Sequence, residues 1–183
     1  VFDQVELVCN DSYPVYHHLF HLAADADHYY LDDTTNRILD AKPVEKKVRN
    51  SNKTQLRTGV YTSGVIATTR DNRHIVLFET NIGHAGEFID SILHKRAKLS
   101  RVPIIMSDAL PSNQPSAHQA VTSLCNSHAR RQFVDVINHF PDEVEHILKR
   151  YGEIWTNEHK VIEQALTPVM RLAYHQQHSL PVM

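Results

Sequence analysis

Two hydrophobic rhythms divide this sequence, and the change between them limits the possible folds more than any single residue does. Up to Cys125 most apolar residues come in short runs bounded by turn formers; from Ser127 onward they recur only at three- and four-residue steps. His28-Tyr29-Tyr30-Leu31, Val60–Thr69, His74–Thr80 and Val102–Met106 read as strands, short and rich in residues that favour a pleated surface. Arg70-Asp71-Asn72-Arg73 supplies turn chemistry between the second and third of these, which predicts a hairpin. Val121–Cys125 is a candidate for one more short strand. Between the hairpin and Val102, Gly83–Leu99 switches to helical spacing through Ala85, Phe88, Ile89, Ile92, Leu93 and Arg96. Ahead of the first strand, Asp11-Ser12-Tyr13-Pro14 reads as the cap of a helix that fades near Asp25. Residues 40–57 carry no apolar period and read as a loop.

After Ser127 the chain is all-α. Ala129, Phe133, Val136, Ile137 and Phe140 trace one helix face, and Pro141 restarts a helix with a stripe from Val144 to Trp155. Thr167-Pro168 begins a third. The order strand, hairpin, helix, strand predicts an α/β fold with a mixed sheet and a crossover helix, followed by an all-α part. The divisions expected are a helical lead-in over 1–27, a sheet-containing core over 28–125 and a helical region over 126–183.

The 183 residues are 42% hydrophobic and 22% charged, which excludes a disordered or collagen-like chain. No apolar run is long enough to span a bilayer, so no membrane partner is expected, and no basic stretch followed by an apolar one opens the chain as a signal peptide would. Two cysteines cannot build a disulfide framework and point to a reducing compartment, the cytoplasm. A start at Val1 and a stop at Met183 inside a helical pattern suggest a piece of something longer. Fourteen histidines are scattered rather than clustered, so they do not form a metal-binding tail. The formal net charge is −2, less basic than a free-standing nucleic-acid binder usually is. Yet Lys42, Lys46, Lys47, Arg49, Lys53 and Arg57 lie close together and are opposed only by Glu45. They form either a solvated loop or an arm that contacts phosphates.

Two of the strands run into acids, Asp32-Asp33 after the first and Asp108 after the fourth. Mixed sheets present ligand groups at strand ends, so Asp32 and Asp108 can converge although they are distant in sequence. Two carboxylates brought close repel unless a cation neutralises them. Mg²⁺, with Mn²⁺ as an alternative, suits such oxygen ligands and takes water and phosphate as the rest of its shell. A pair of such ions can activate a hydroxyl and stabilise the leaving oxygen of a phosphodiester. Each acid alone is equally compatible with a turn former or helix cap.

The residues around these acids carry a resemblance. Asp32-Asp33-Thr34-Thr35-Asn36-Arg37-Ile38-Leu39, Arg57-Thr58-Gly59-Val60-Tyr61-Thr62-Ser63-Gly64, His84-Ala85-Gly86-Glu87 and Ser107-Asp108-Ala109-Leu110 are similar to successive segments of the insertion sequence 66 family of bacterial transposases. The most specific stretch, Cys125-Asn126-Ser127-His128-Ala129-Arg130-Arg131-Gln132-Phe133, resembles that family's Cys-x-x-His-Ala-Arg-Arg block. The resemblance covers nearly the whole chain. It implies a DDE transposase with a ribonuclease-H-like core interrupted by a helical insertion. Asp32 and Asp108 are then the first two catalytic acids and metal ligands, with Asp33 as a neighbour. The implied partner is double-stranded DNA, both transposon ends and target, handled by a homodimer or larger assembly.

A DDE site needs a third carboxylate, and the segment expected to carry it in this family does not occur here. Glu153, Glu158 and Glu163 are the helical acids available, and Glu158 is the fallback; the third acid is otherwise expected beyond Met183. On this reading the chain is a central fragment, inactive alone. Arg130 and Arg131 suit phosphate contacts or surface ion pairs. Cys125 and His128 supply only two of the four ligands of a structural zinc site, so zinc is not expected and the pair reads as a structural motif. Trp155 and its stripe read as helix packing, with base stacking as the alternative. The competing functions are a non-catalytic DNA-binding or regulatory remnant, favoured by the missing acid and the basic cluster, and a zinc-binding interaction module.

Overall fold

Alternation along one strand sets the architecture. In β1 (His28–Asn36) Tyr29 and Leu31 are buried while Tyr30 and Asp32 are exposed, the period of two expected of a sheet with one covered face. The computed structural model describes residues 1–38, 42–47, 53–97 and 101–183. These fall into two compact units, Val1–Cys125 and Asn126–Met183.

In the first unit α1 (Phe2–Ala24) precedes β1. There follow β2 (Val44–Lys47), β3 (Thr54–Arg57), β4 (Val60–Thr68), β5 (His74–Asn81), α2 (Ala85–Leu93), β6 (Ile104–Ser107) and β7 (Val121–Leu124). Five strands form a mixed sheet in the order β5-β4-β1-β6-β7. The β5, β4 and β1 pairings are antiparallel, whereas β6 runs parallel to both β1 and β7. Strands β2 and β3 make a separate antiparallel pair.

One face of the main sheet is covered. Phe88, Ile89, Ile92 and Leu93 of α2 and Ala23 and Ala24 of α1 pack on Tyr29, Leu31, Val65, Ala67, Leu77 and Ile105, with Leu19 and Phe20 alongside. Each such large apolar side chain taken from water contributes about 1.5–3 kcal/mol. The end of α1 is tied down within this core. The Tyr29 hydroxyl lies 2.7 and 2.9 Å from the carbonyls of Ala23 and Ala24, and Arg96 Nη1 donates to the carbonyls of Ala24 and Ala26 at 2.8 and 2.6 Å. The opposite face carries exposed Tyr30, Ile66, Val76, Phe78 and Ile104.

Several elements depart from the sequence reading. Helix α1 begins at Phe2 and passes through Pro14, although a cap was expected at Asp11. A proline inside a helix forfeits one hydrogen bond, and the residues around this one are exposed. Strand β1 does not stop at the acid pair: β4 pairs with it from His28 to Asn36, so Asp32 and Asp33 lie mid-strand. The expected loop over 40–57 holds the hairpin of β2 and β3, whose residues are too polar on both sides to show a period. Helix α2 ends at Leu93, since Arg96 turns to the carbonyls that end α1 and Ala97 N donates to Asp25 Oδ1 at 3.0 Å.

The second unit contains α3 (Asn126–Asp135), α4 (Pro141–Glu163) and α5 (Pro168–His178). Its core is small, with Val144 and Val161 each 2% exposed. Thr167 caps α5, its hydroxyl accepting from Met170 N. Trp155 is 43% exposed, so it is not the core residue that its stripe suggested.

Candidate functional site

The register of the two central parallel strands decides where the acids fall. His28 pairs with Ile104, Tyr29 with Ile105 and Tyr30 with Met106. The pairing ends at Tyr30–Met106 and β6 ends at Ser107, so Asp32 lies two residues further along β1 and Asp108 just past the end of β6. Asp32 belongs to the open face with Tyr30 and Ile104, whereas Asp108 is half-buried and turns one carboxylate oxygen to Leu110 N and Asn113. Asp33, one residue on from Asp32, points the other way.

The open face around Asp32 is shaped by its cross-strand row. Asp32 pairs with Gly64 on β4, and Gly64 with Phe78 on β5. A Cβ at Gly64 would come within 3.1 Å of the Phe78 ring, so glycine here lets that ring lie close to the strand. Tyr30, Asp32, Ile66, Val76 and Phe78 line a shallow depression of about 250 Å³. Asp32 Oδ1 accepts from Asp33 N at 2.9 Å.

Asp108 is held more firmly. Its Oδ1 accepts from Leu110 N at 3.1 Å and from Asn113 Nδ2 at 3.0 Å. Its carbonyl accepts from Ser107 Oγ at 2.9 Å and Gln114 Nε2 at 3.1 Å, while Gln114 also donates to Ser107 Oγ at 2.7 Å. A 3-10 turn over Pro111–Asn113 folds the chain back so that these side chains reach the strand end. The sequence reading did not single out Asn113 or Gln114 as site residues. The available signal was an amide pair, Asn113-Gln114, placed just after an acid and a proline turn.

Asp33 serves the covered side. Its Oδ2 lies 2.9 Å from His84 Nδ1 and accepts from Ala85 N at 3.4 Å. The His84 ring stacks near Tyr61, with centroids 4.0 Å apart. Beside it Glu87 Oε2 accepts from His84 N at 3.0 Å and pairs with Lys46 Nζ at 2.7 Å. Burial raises the Glu87 carboxyl, but the Lys46 ammonium and the His84 N–H outweigh it and hold the group below the usual glutamate value.

The expected DNA contacts are divided. Lys46 is spent on Glu87. Lys47 and Lys53 are exposed on the β2–β3 hairpin and Arg57 is half-buried at its end. Arg49 lies outside the described residues. Arg130 and Arg131 are exposed on α3, and the Arg130 guanidinium sits 5.8 Å from the Trp155 ring centroid. Glu158 has both carboxylate oxygens engaged within the helical unit, one by Arg171 and the other 2.8 Å from His175 Nε2. Cys125 closes the first unit and His128 lies in α3; neither cysteine is in a disulfide.

Among the described residues no group of three or more His, Cys, Asp or Glu side chains is placed to hold a metal ion. Asp32 and Asp108 carry carboxylate oxygens, the donor type that a hard divalent cation takes. Two hard oxygens from protein, with water and phosphate as the rest, is the ligand balance Mg²⁺ favours. Among the described residues no helix is long and apolar enough to cross a membrane.

In comparison with known families, the family described as "Transposase IS66 family" matches residues 3–183. No curated protein and no solved structure matches the chain.

Proposed function

We propose, from the premise that this chain belongs to the IS66 family of transposases, that its first unit carries part of a DDE-type active site acting on DNA. The observation that supports the reading is the parallel pairing of β1 with β6, with Asp32 two residues past its last pair on β1 and Asp108 just past the end of β6. The sheet order β5-β4-β1-β6-β7, antiparallel on one side of β1 and parallel on the other, supports a ribonuclease-H-like core.

In this reading Asp32 and Asp108 hold Mg²⁺ or Mn²⁺. When bound, the metal supplies activation of the attacking hydroxyl and stabilisation of the leaving oxygen at a phosphodiester. The chain's own contribution is placement. Strand β1 carries Asp32, the turn after β6 holds Asp108, and Asp33 braces β1 against the start of α2. Exposed Lys47, Lys53, Arg130 and Arg131 and half-buried Arg57 supply phosphate contacts to double-stranded DNA. Transposon ends are cleaved and joined to target DNA by a homodimer or larger assembly in the bacterial cytoplasm. Glu158, engaged by Arg171 and His175, acts here as a clamp between helices rather than as the third acid.

Titration with Mn²⁺ tests the reading. Wild-type chain is expected to bind, and Asp32→Ala and Asp108→Ala each to weaken binding at least tenfold. Equal affinity in wild type and the double variant removes the metal assignment. The alternative, a non-catalytic DNA-binding remnant, is favoured by the cationic hairpin of β2 and β3. Salt-dependent DNA binding without metal-dependent nicking would select it.

A further inference from the structure

Asn113 is fully buried, and its position is expensive to explain as packing alone. Its Nδ2 donates to Asp108 Oδ1, while its own Oδ1 has no hydrogen-bond partner among the described residues. A buried amide carbonyl without a partner is unfavourable, and an apolar residue of the same size would fill the space without that penalty. What asparagine adds is the donor. Leu110 N reaches the same carboxylate oxygen, so Oδ1 of Asp108 is held by two N–H groups that fix the carboxylate plane. Among the described residues Oδ2 has no such partner and is left to face another ligand. Gln114, whose buried Oε1 likewise has no partner among the described residues, holds the carbonyl of Asp108 and the hydroxyl of Ser107 rather than the carboxylate.

We propose that Asn113 is a positioning residue for Asp108, fixing one carboxylate oxygen so that the other is presented to a divalent cation. The inference rests on the metal reading above. Outer hydrogen bonds that orient a ligating carboxylate typically change metal affinity 10–100-fold when removed. The sequence arrangement follows the same logic: Pro111 starts a tight turn that brings the fifth residue after Asp108 back onto its side chain.

The experiment is Mn²⁺ binding to the 183-residue chain, followed by electron paramagnetic resonance, with thermal unfolding in parallel. The set is wild type, Asp108→Asn, Asn113→Leu, Asn113→Ala and Gln114→Leu. The expected result is that Asp108→Asn abolishes binding, and that both Asn113 variants weaken it about tenfold or more. Gln114→Leu, which frees only the Asp108 carbonyl and the Ser107 hydroxyl, should weaken binding less than either Asn113 variant, even where it lowers the unfolding temperature as much. If Asp108→Asn abolishes binding but the Asn113 variants match wild type, the positioning role is wrong and the metal site stands. If wild type does not bind, or Asp108→Asn binds equally well, the metal reading fails and takes this inference with it. Failure of both Asn113 variants to fold would make the residue purely structural and overturn the role.

Discussion

Asp33 Oδ2 and His84 Nδ1 lie 2.9 Å apart on the side of the sheet away from Asp32. Adjacent acids on a strand thus have opposite assignments, because successive side chains point to opposite faces. Asp33 is 11% exposed and His84 15%, and the same carboxylate oxygen also accepts from Ala85 N at the start of α2. Removing it leaves a buried ring nitrogen and a helix-terminal N–H without their acceptor, which costs about 1–3 kcal/mol. Asp33→Ala should therefore lower the urea midpoint of the chain while leaving Mn²⁺ affinity within about twofold of wild type. Loss of metal binding at unchanged stability would reverse the roles of the two aspartates.

Tyr29 gives a prediction in alkaline solution. Burial pushes its hydroxyl up to about 12, with the nearby Arg96 guanidinium pulling the other way. The unfolded chain ionises this group near its ordinary value of 10.0, so the folded state holds the proton where the unfolded state has lost it. Stability from this group is complete below pH 10, falls between pH 10 and 12, and changes no further above that. A shift of this size corresponds to roughly 3 kcal/mol. Urea unfolding at a series of pH values should show that decline in wild type and a flatter one in Tyr29→Phe. Parallel curves would mean that Tyr29 does not carry the dependence.

Short strands, the crossover helix and the all-α second unit were legible because each depends on a local period that burial enforces. Ile75 and Leu77, or Phe88, Ile89 and Ile92, announce their buried face within a few residues. The hairpin of β2 and β3 was not legible, since Glu45, Lys46, Gln55 and Leu56 pair through backbone and show no buried face. The extension of β1 past Asp33 depends on β4 pairing with it as far as Asn36, a non-local fact. Within the candidate site, Asp32 and Asp108 stood out by type and by following apolar runs. Asn113, Gln114 and His84 did not, because their significance lies in which carboxylate or carbonyl the folded chain brings to them.

The β2–β3 hairpin has a testable tether. Lys46 Nζ and Glu87 Oε2 are 2.7 Å apart, with side chains 29% and 33% exposed, and Glu87 is itself fixed by His84 N. Gly83 makes the arrangement possible, since a Cβ there would sit 2.5 Å from Glu87 Oε2 and 3.0 Å from Lys46 Nζ. The depressed Glu87 carboxyl means that its contribution is present above the unfolded-state value and is lost as pH falls through the folded one. Lys46→Ala should speed amide exchange in β2 and β3 severalfold and leave exchange in β4 and β5 unchanged. Unaltered exchange in the hairpin would show that the pair contributes little, as many exposed pairs do.

Glu158 joins two helices. One oxygen takes Arg171 and the other lies 2.8 Å from His175 Nε2, while His175 Nδ1 is 2.8 Å from Ser179 Oγ. Asn157, the preceding residue, donates to the His178 carbonyl at 3.1 Å, so adjacent positions of α4 hold the end of α5. Groups that share a hydrogen-bond network couple by about 0.5–3 kcal/mol, whereas independent surface groups add. Trp155, the single tryptophan, lies in α4 and reports on this unit directly. Denaturation of wild type, Glu158→Ala, His175→Ala and the double variant, followed by its fluorescence, should show the second substitution costing less once the first is present. Strictly additive losses would release Glu158 from the clamp and return it to consideration as an acid available for catalysis.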